Sequence, residues 1–267
     1  MSVLRETDPI VSARGLVVRY GDRTVLDGVD LDVRRGEIFV VVGTSGCGKS
    51  TLLRCLVGLQ RPTEGRVLVK GRDVSAMDEE EYARFVREIG MLFQSGALFN
   101  SMTVGDNVAL PLREHTGLGE ETIDSIVRLK LSLVGLADCA PKLPAELSGG
   151  MRKRAAIARA MALDPEIIFF DELSAGLDPI TASDLDELVL RLKSSLGVTM
   201  VVVSHELQSI FTIADRIAMI SGGRIAACGT RAELDALPAG PGSEEVRRFL
   251  DRAPEKKTSW IDAHSLP

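Results

Sequence analysis

The stretch Gly43-Thr44-Ser45-Gly46-Cys47-Gly48-Lys49-Ser50-Thr51 constrains this chain more than any other. It fits the pattern of a glycine, four residues, Gly-Lys and a serine or threonine. The run before it, Glu37-Ile38-Phe39-Val40-Val41-Val42, is β-branched and aromatic and reads as a buried parallel strand. After Lys49, Ser50 to Leu56 carry apolar side chains at helical spacing. Glycines at 43, 46 and 48 let successive backbone N–H groups turn inward without a Cβ, which makes an anion nest at a positively polarised helix end. Lys49 adds a point charge suited to β- and γ-phosphates, and the Ser50 hydroxyl suits Mg²⁺. The stretch predicts that a nucleotide's phosphates are held here.

The rest of the chain supplies an α/β frame. Ala13–Tyr20 and Thr24–Val33 alternate apolar and polar residues around Gly21-Asp22 and predict a β-hairpin. Tyr20 ends the first of these strands, and a strand-end aromatic equally well covers core. Arg66–Lys70 reads as a strand, Asp78–Arg87 as a charged helix and Ile89–Phe93 as a strand ending at Gln94. From Thr103 to Leu147 strand patterns vanish, and Val104–Leu112 and Glu120–Val134 read as helices. Strand signals then resume, so this stretch is expected to be a helical insert. Ser148 is a natural N-cap for a helix over Met151–Leu163. Glu166–Phe170 and Val198–Val203 are apolar strands delivering Asp171-Glu172 and Ser204-His205-Glu206, and Asp184–Leu196 between them is amphipathic. Arg216–Cys228 predicts a hairpin turning at Gly222-Gly223. Strands alternating with helices predict a parallel-sheet α/β core. Ser243–Arg252 reads as one more helix, followed by a polar tail in which Trp260-Ile261 is an isolated apolar pair.

Composition removes several classes. A net charge of -6 gives no electrostatic footprint for nucleic acid. Cys47, Cys55, Cys139 and Cys228 form no Cys-x-x-Cys pair, which argues for a reducing compartment and against a disulfide scaffold or zinc site. No apolar run approaches the roughly 20 residues that span a bilayer, and Met1–Glu6 is no signal peptide. A cytosolic protein is expected, with any membrane role supplied by a partner.

An apolar strand ending in Asp171-Glu172 is the usual companion of a phosphate loop. The Asp can hold Mg²⁺ through water, and the adjacent carboxylate can orient and activate an attacking water. Leu147-Ser148-Gly149-Gly150 offers a hydroxyl, two unobstructed N–H groups and a helix N-terminus, a second phosphate-binding surface.

The phosphate loop, Gln94, Leu147–Gly150, Asp171-Glu172, Ala175-Gly176-Leu177-Asp178 and His205 stand in the order and spacing of ATP-binding-cassette (ABC) ATPases. The resemblance covers roughly residues 10–230. It implies a P-loop NTPase (RecA-like) core with an antiparallel β subdomain, a helical subdomain inserted at about 95–150, and a C-terminal extension over 231–267. It also implies a head-to-tail homodimer with ATP and Mg²⁺, in which Ser148, Gly149 and Gly150 cap the partner's γ-phosphate. By position, Tyr20 resembles the aromatic that stacks on adenine, and Gln94 the residue that senses Mg²⁺ and the attacking water. Asp178 matches the loop contacting the partner's site, and His205 the switch histidine at the γ-phosphate. With Lys49 and Glu172, Gln94 and His205 form the implied catalytic set; Ser50, Gln94 and Asp171 form the implied metal set.

Two positions depart from the commonest pattern. Met151 stands where Gln is usual, and Leu173 where Pro is usual, so the turn after Glu172 is expected to be less rigid. A closer resemblance lies in Met91–Phe99, Asp106–Ala109 and Pro111–Thr116, which look like the ATPase of Mla-type phospholipid transporters; Met151 fits that subfamily. His115 has no role beyond structure. The resemblance implies a Gram-negative inner-membrane permease, an MCE-domain substrate-binding protein and a small STAS-domain subunit as partners, with the ATPase peripheral on the cytoplasmic face. The rivals are an ABC transporter ATPase for another substrate, a soluble ABC protein of translation or DNA repair, and a non-hydrolysing regulatory cassette. Intact Lys49, Glu172 and His205 oppose the last.

Overall fold

The computed structural model describes residues 9–94, 96–238 and 243–251. Trp260 and the rest of the tail lie outside the described residues. The chain opens with β1 (Val11–Tyr20) and β2 (Arg23–Val33), paired antiparallel across the expected Gly21-Asp22 turn. β3 (Ile38–Gly43) follows, then α1 (Lys49–Leu56). β4 (Glu64–Val69) and the two-residue β5 (Arg72–Asp73) complete a four-stranded antiparallel sheet of order β2-β1-β4-β5.

α2 (Glu79–Phe85) starts in a reciprocal capping box of Asp78 and Glu81, and β6 (Ile89–Leu92) leads to the helical stretch. That stretch comprises α3 (Val104–His115) and α4 (Glu120–Leu133), with α5 (Gly149–Ala160) behind them. α3 runs beyond the expected Leu112 with Pro111 inside it, and Thr103 caps its start. α5 begins two residues before the expected Met151, because the Ser148 Oγ accepts the Met151 N–H at 3.2 Å and so places Gly149 in the first turn.

β7 (Ile167–Asp171), α6 (Pro179–Leu196) and β8 (Thr199–Val203) follow. The expected start of α6 at Asp184 is corrected to Pro179: Asp178 caps the helix through the Ile180 and Thr181 N–H groups, and Pro179 suits the first helical position. α7 (Leu207–Ile213), which periodicity did not reveal, precedes the hairpin of β9 (Arg216–Ser221) and β10 (Arg224–Gly229). α8 (Arg231–Asp235), also unforeseen, has a Thr230–Glu233 capping box, and α9 (Ser243–Asp251) ends the described chain.

The main sheet has the order β10-β9-β3-β8-β7-β6, parallel except for β10. Its side-chain period of two divides each central strand between two cores. Ile38, Val40, Val42, Ile168, Phe170, Met200 and Val202 face the core shared with α3 to α6. Phe39, Val41, Ile167, Phe169, Val201 and Val203 face α1 and the antiparallel sheet. Three layers result, and both faces of β3, β7 and β8 are dry.

One carboxylate inside this packing is perturbed. Asp186 on α6 is 3% exposed and accepts a hydrogen bond from the Ser209 hydroxyl on α7. Burial pushes its carboxyl up to about 6, against the Ser209 bond that lowers it. The raised value means that folding favours the protonated form. The contribution is complete below about pH 4 and is lost as pH rises to about 6. Asp186→Asn keeps an oxygen for Ser209. It is expected to match the parent near pH 4 and to exceed it above pH 6, by on the order of 2–3 kcal/mol. Urea unfolding of both proteins across that range is the check; a difference independent of pH contradicts the assignment.

Candidate active site

The carboxyl ends of β3, β8 and β7 lie side by side, because Val41 pairs with Val203 and Val203 with Asp171. From these ends emerge Gly43–Thr51, Ser204-His205 and Asp171-Glu172. Backbone bonds close the gaps between them: Ser204 N–H donates to Val41 O at 3.2 Å, and Glu172 N–H to Val203 O at 2.9 Å. Ligands of open α/β sheets bind at this edge.

The phosphate loop is built from glycine conformations. Gly43, Gly46 and Gly48 have φ of 152°, 77° and 111°. A Cβ on Gly43 would sit 2.4 Å from Ile220 O and 2.6 Å from the Cys47 Sγ, so no side chain fits there. The Lys49 ammonium donates to Gly43 O at 2.9 Å and Thr44 O at 3.1 Å and holds the curve closed. A cavity of about 140 Å³ is lined by Val25, Gly46, Gly48, Lys49, Ser50 and Thr51, with Ser45 exposed at the tip of the loop. A larger opening of about 360 Å³ joins Gly43, Thr44 and His205 to Phe249 of α9. A cavity of about 350 Å³ at the opposite edge, lined among others by Gly36, Pro165 and Thr199, contains none of these groups.

The acidic pair lies beside the loop. Among the described residues no group donates a hydrogen bond to the buried Asp171 Oδ1, and burial raises this carboxyl against the pull of Arg54, Lys153 and Lys49. A dry carboxylate oxygen facing no donor is suited to a cation, and the Ser50 hydroxyl in the adjoining cavity is a matching hard ligand. The residues therefore fit Mg²⁺. Glu172 stands at φ 57°, a left-handed conformation that costs a non-glycine residue on the order of 1 kcal/mol or more. His205 Nδ1 is 2.6 Å from Glu172 Oε2, an ion-pair distance, and among the described residues no other group donates to that oxygen. Leu173, 1% exposed, anchors the turn through the core, a hold not expected where proline is missing.

Other expected residues fall into two groups. Gln94 joins the acidic pair through Lys153, whose ammonium donates to Gln94 O and Glu172 O. Tyr20 is exposed, with its hydroxyl donating to Gln60 Oε1 at 2.7 Å. Ser148, Gly149 and Gly150 stand apart from the phosphate cavity; Gly149 lies against Leu177 in the loop before α6, and a Gly150 Cβ would be 2.4 Å from Thr181 Cγ2 in the first turn of α6. Asp178 is engaged within its own chain as the α6 cap, and Thr181 Oγ1 also donates to it. Lys153 is the residue that sequence reading missed. Its signal was a lysine at helical spacing from Gly150 and Ala156 on the face of α5 turned inward.

A glycine-built anion nest, a lysine in its curve, an acidic pair at the next strand end but one and a histidine between them make a phosphate-loop site for nucleotide hydrolysis. A family model described as ABC transporter matches residues 26–175. The chain is 45% identical over 242 residues to the intermembrane phospholipid transport system ATP-binding protein MlaF of Escherichia coli (strain K12), covering 91% of this chain and 88% of that one. It is 42% identical over 233 residues to the methionine import ATP-binding protein MetN 2 of Rhodococcus jostii (strain RHA1), covering 87% and 68%. A dimeric ATP-binding cassette in a post-hydrolysis state bound to ADP and Pi superposes with a TM-score of 0.75 at 30% identity, covering 82% of this chain and 98% of that one. The chain belongs to the ABC transporter family, as an ATP-binding, ATP-hydrolysing cassette.

The crowding at Gly43 sets a test. Gly43→Ala is expected to weaken binding of a fluorescent ATP analogue at least 100-fold while the far-UV circular dichroism stays unchanged. Affinity within three-fold of the parent would contradict the close approach of Ile220.

Proposed function

We propose that this cassette powers phospholipid transport across a Gram-negative envelope, working from the cytoplasmic face of the inner membrane with a permease and an MCE-domain protein. A small STAS-domain subunit completes the expected assembly. The likeness to MlaF over nearly the whole chain carries the substrate class. Among the described residues no helix is long and apolar enough to cross a membrane, so a permease must supply the path. The loop next to Gln94 is shaped for that contact. Phe93 and Phe99 are exposed there. Asn107, fully buried, holds Phe99 through both its N–H and its carbonyl and also donates to Met102 O and Thr103 O. Such bonding ties Phe99, Met102 and Thr103 to α3, a connection through which a displacement can pass.

Hydrolysis follows from the grouping at the strand ends. Two chains sandwich two ATP molecules, each held by Gly43–Thr51 of one chain and Ser148–Gly150 of the other. Head-to-tail pairing explains why Ser148–Gly150 do not line their own phosphate cavity. The Tyr20 ring stacks on adenine, and Asp178 lies at the contact with the partner. Glu172, whose Oε2 meets only His205 among the described residues, accepts a proton from the attacking water. His205 and Lys49 hold the γ-phosphate as charge develops. Mg²⁺ at Ser50, Asp171 and Gln94 would supply further neutralisation of phosphate charge.

Glu172→Gln is expected to cut turnover at least 100-fold and to leave an ATP-bound dimer, seen as a doubled mass in size-exclusion chromatography with ATP. Unchanged turnover would sink the role of Glu172. The methionine-import likeness favours a second reading, a cassette for a small polar solute. Purification of the tagged chain from detergent-solubilised membranes separates the two. Co-purification of a permease with an MCE-domain protein is the expected result, and an unrelated permease alone would refute the phospholipid assignment.

A further inference from the structure

Lys153 is a buried cation whose place in the site has no role so far. It is 6% exposed, and its ammonium donates to Gln94 O at 2.6 Å and to Glu172 O at 2.9 Å. Among the described residues it makes no ion pair. Burial lowers its pKa, and only the more distant charges of Glu172, Asp171 and Glu206 oppose this. An ammonium held by carbonyls in a dry place is a poor way to gain stability, since an apolar side chain of similar volume avoids the desolvation.

The two carbonyls explain the arrangement. Glu172 sits in a left-handed backbone conformation that its own side chain does not favour. Its N–H is tied to Val203 O and its carbonyl to Lys153, so the strained peptide is gripped from both sides. At the other end of the bridge is Gln94, where β6 passes into the segment leading to the helices. α5 grips that segment again farther along: Arg159 donates to Gly96 O at 3.1 Å and Ala97 O at 2.7 Å. Lys153 stands five residues after Ser148 on the same helix, about 7.5 Å along its axis.

We propose that Lys153 is a positioning residue for ATP hydrolysis: by bridging the carbonyls of Gln94 and Glu172 it fixes both side chains against the nucleotide and ties them to the helix whose first turn caps the partner's ATP. This rests on the roles given above to Glu172 and Gln94. One rigid helix then serves two sites, its N-terminus the partner's nucleotide and its second turn its own chain's acidic residue. Movement of α5 at one site displaces the hydrolytic carboxylate at the other.

Steady-state ATPase assays on the full chain test this with Lys153→Met, Lys153→Arg and Glu172→Gln side by side. Lys153→Met keeps the length and loses the donors. It is expected to lower kcat ten- to a hundred-fold, with KM for ATP within about two-fold and the melting temperature within a few degrees of the parent. Lys153→Arg, whose several N–H donors can still reach both carbonyls, is expected to recover most of kcat. Parent-like kcat in Lys153→Met overturns the proposal, as does a joint fall of kcat, ATP affinity and melting temperature, which marks a merely structural lysine. A Lys153→Arg protein that folds like the parent but turns over no faster than Lys153→Met overturns it too. If Glu172→Gln still turns over, the reading of Glu172 fails. If Glu172→Gln is inactive while Lys153→Met equals the parent, the reading of Glu172 stands and only the bridge fails.

Discussion

Burial of the central parallel strands on both faces governs the rest of this structure. A strand exposed on one side could shift by one residue only by turning its apolar face to water, and here a shift would exchange two dry cores. Phe169 and Phe170 show the constraint most directly: neighbours in sequence, both fully buried, they belong to different cores. With register so held, the carboxyl ends of β3, β8 and β7 align, and the loops that leave them cannot drift apart. The chemistry at the edge takes its geometry from hydrophobic packing below it.

The site holds its strain and its unpaired charge above that layer. The phosphate loop places Gly43 where a Cβ would strike the Ile220 carbonyl, and the left-handed Glu172 follows a strand whose neighbours are buried. Among the described residues Asp171 keeps an oxygen with no donor, and the buried oxygen of Glu172 meets only His205. Such groups oppose stability and persist because the surrounding sheet over-determines their position. They are also the groups that a phosphate-bound cation and an attacking water would satisfy.

Polar contacts join the helical region to this edge, beside the apolar core that the two share. Lys153 and Arg159 of α5 hold backbone carbonyls of Gln94, Gly96 and Ala97, and Asn107 of α3 holds those of Phe99, Met102 and Thr103. Hydrogen bonds fix direction as well as distance. Gln94, Gly96, Ala97, Phe99, Met102 and Thr103 are thus held through their carbonyls while the rings of Phe93 and Phe99 remain exposed.

The local chemistry was legible in the sequence. Gly43, Gly46 and Gly48 announced an anion nest, Ser148 a helix cap, and the apolar runs ending at Val42, Phe170 and Val203 the buried strands, because each follows from a residue's own conformational preferences and those of its near neighbours. Helix starts were less legible where a cap was read as something else: Asp178 resembled a contact residue, and its bonds to Ile180 and Thr181 place the start of α6 five residues before the first clear periodicity. Family resemblance, carried by motif order, supplied the expectation of a dimer and the roles proposed for Gln94 and His205. Only the tertiary structure decided which loops meet. The strand order β3-β8-β7 places residue 43 beside 204 and 171, and Lys153 finds partners 59 and 19 residues away. These contacts depend on how two faces of one sheet are covered, a property of the whole packing that no local run of residues encodes.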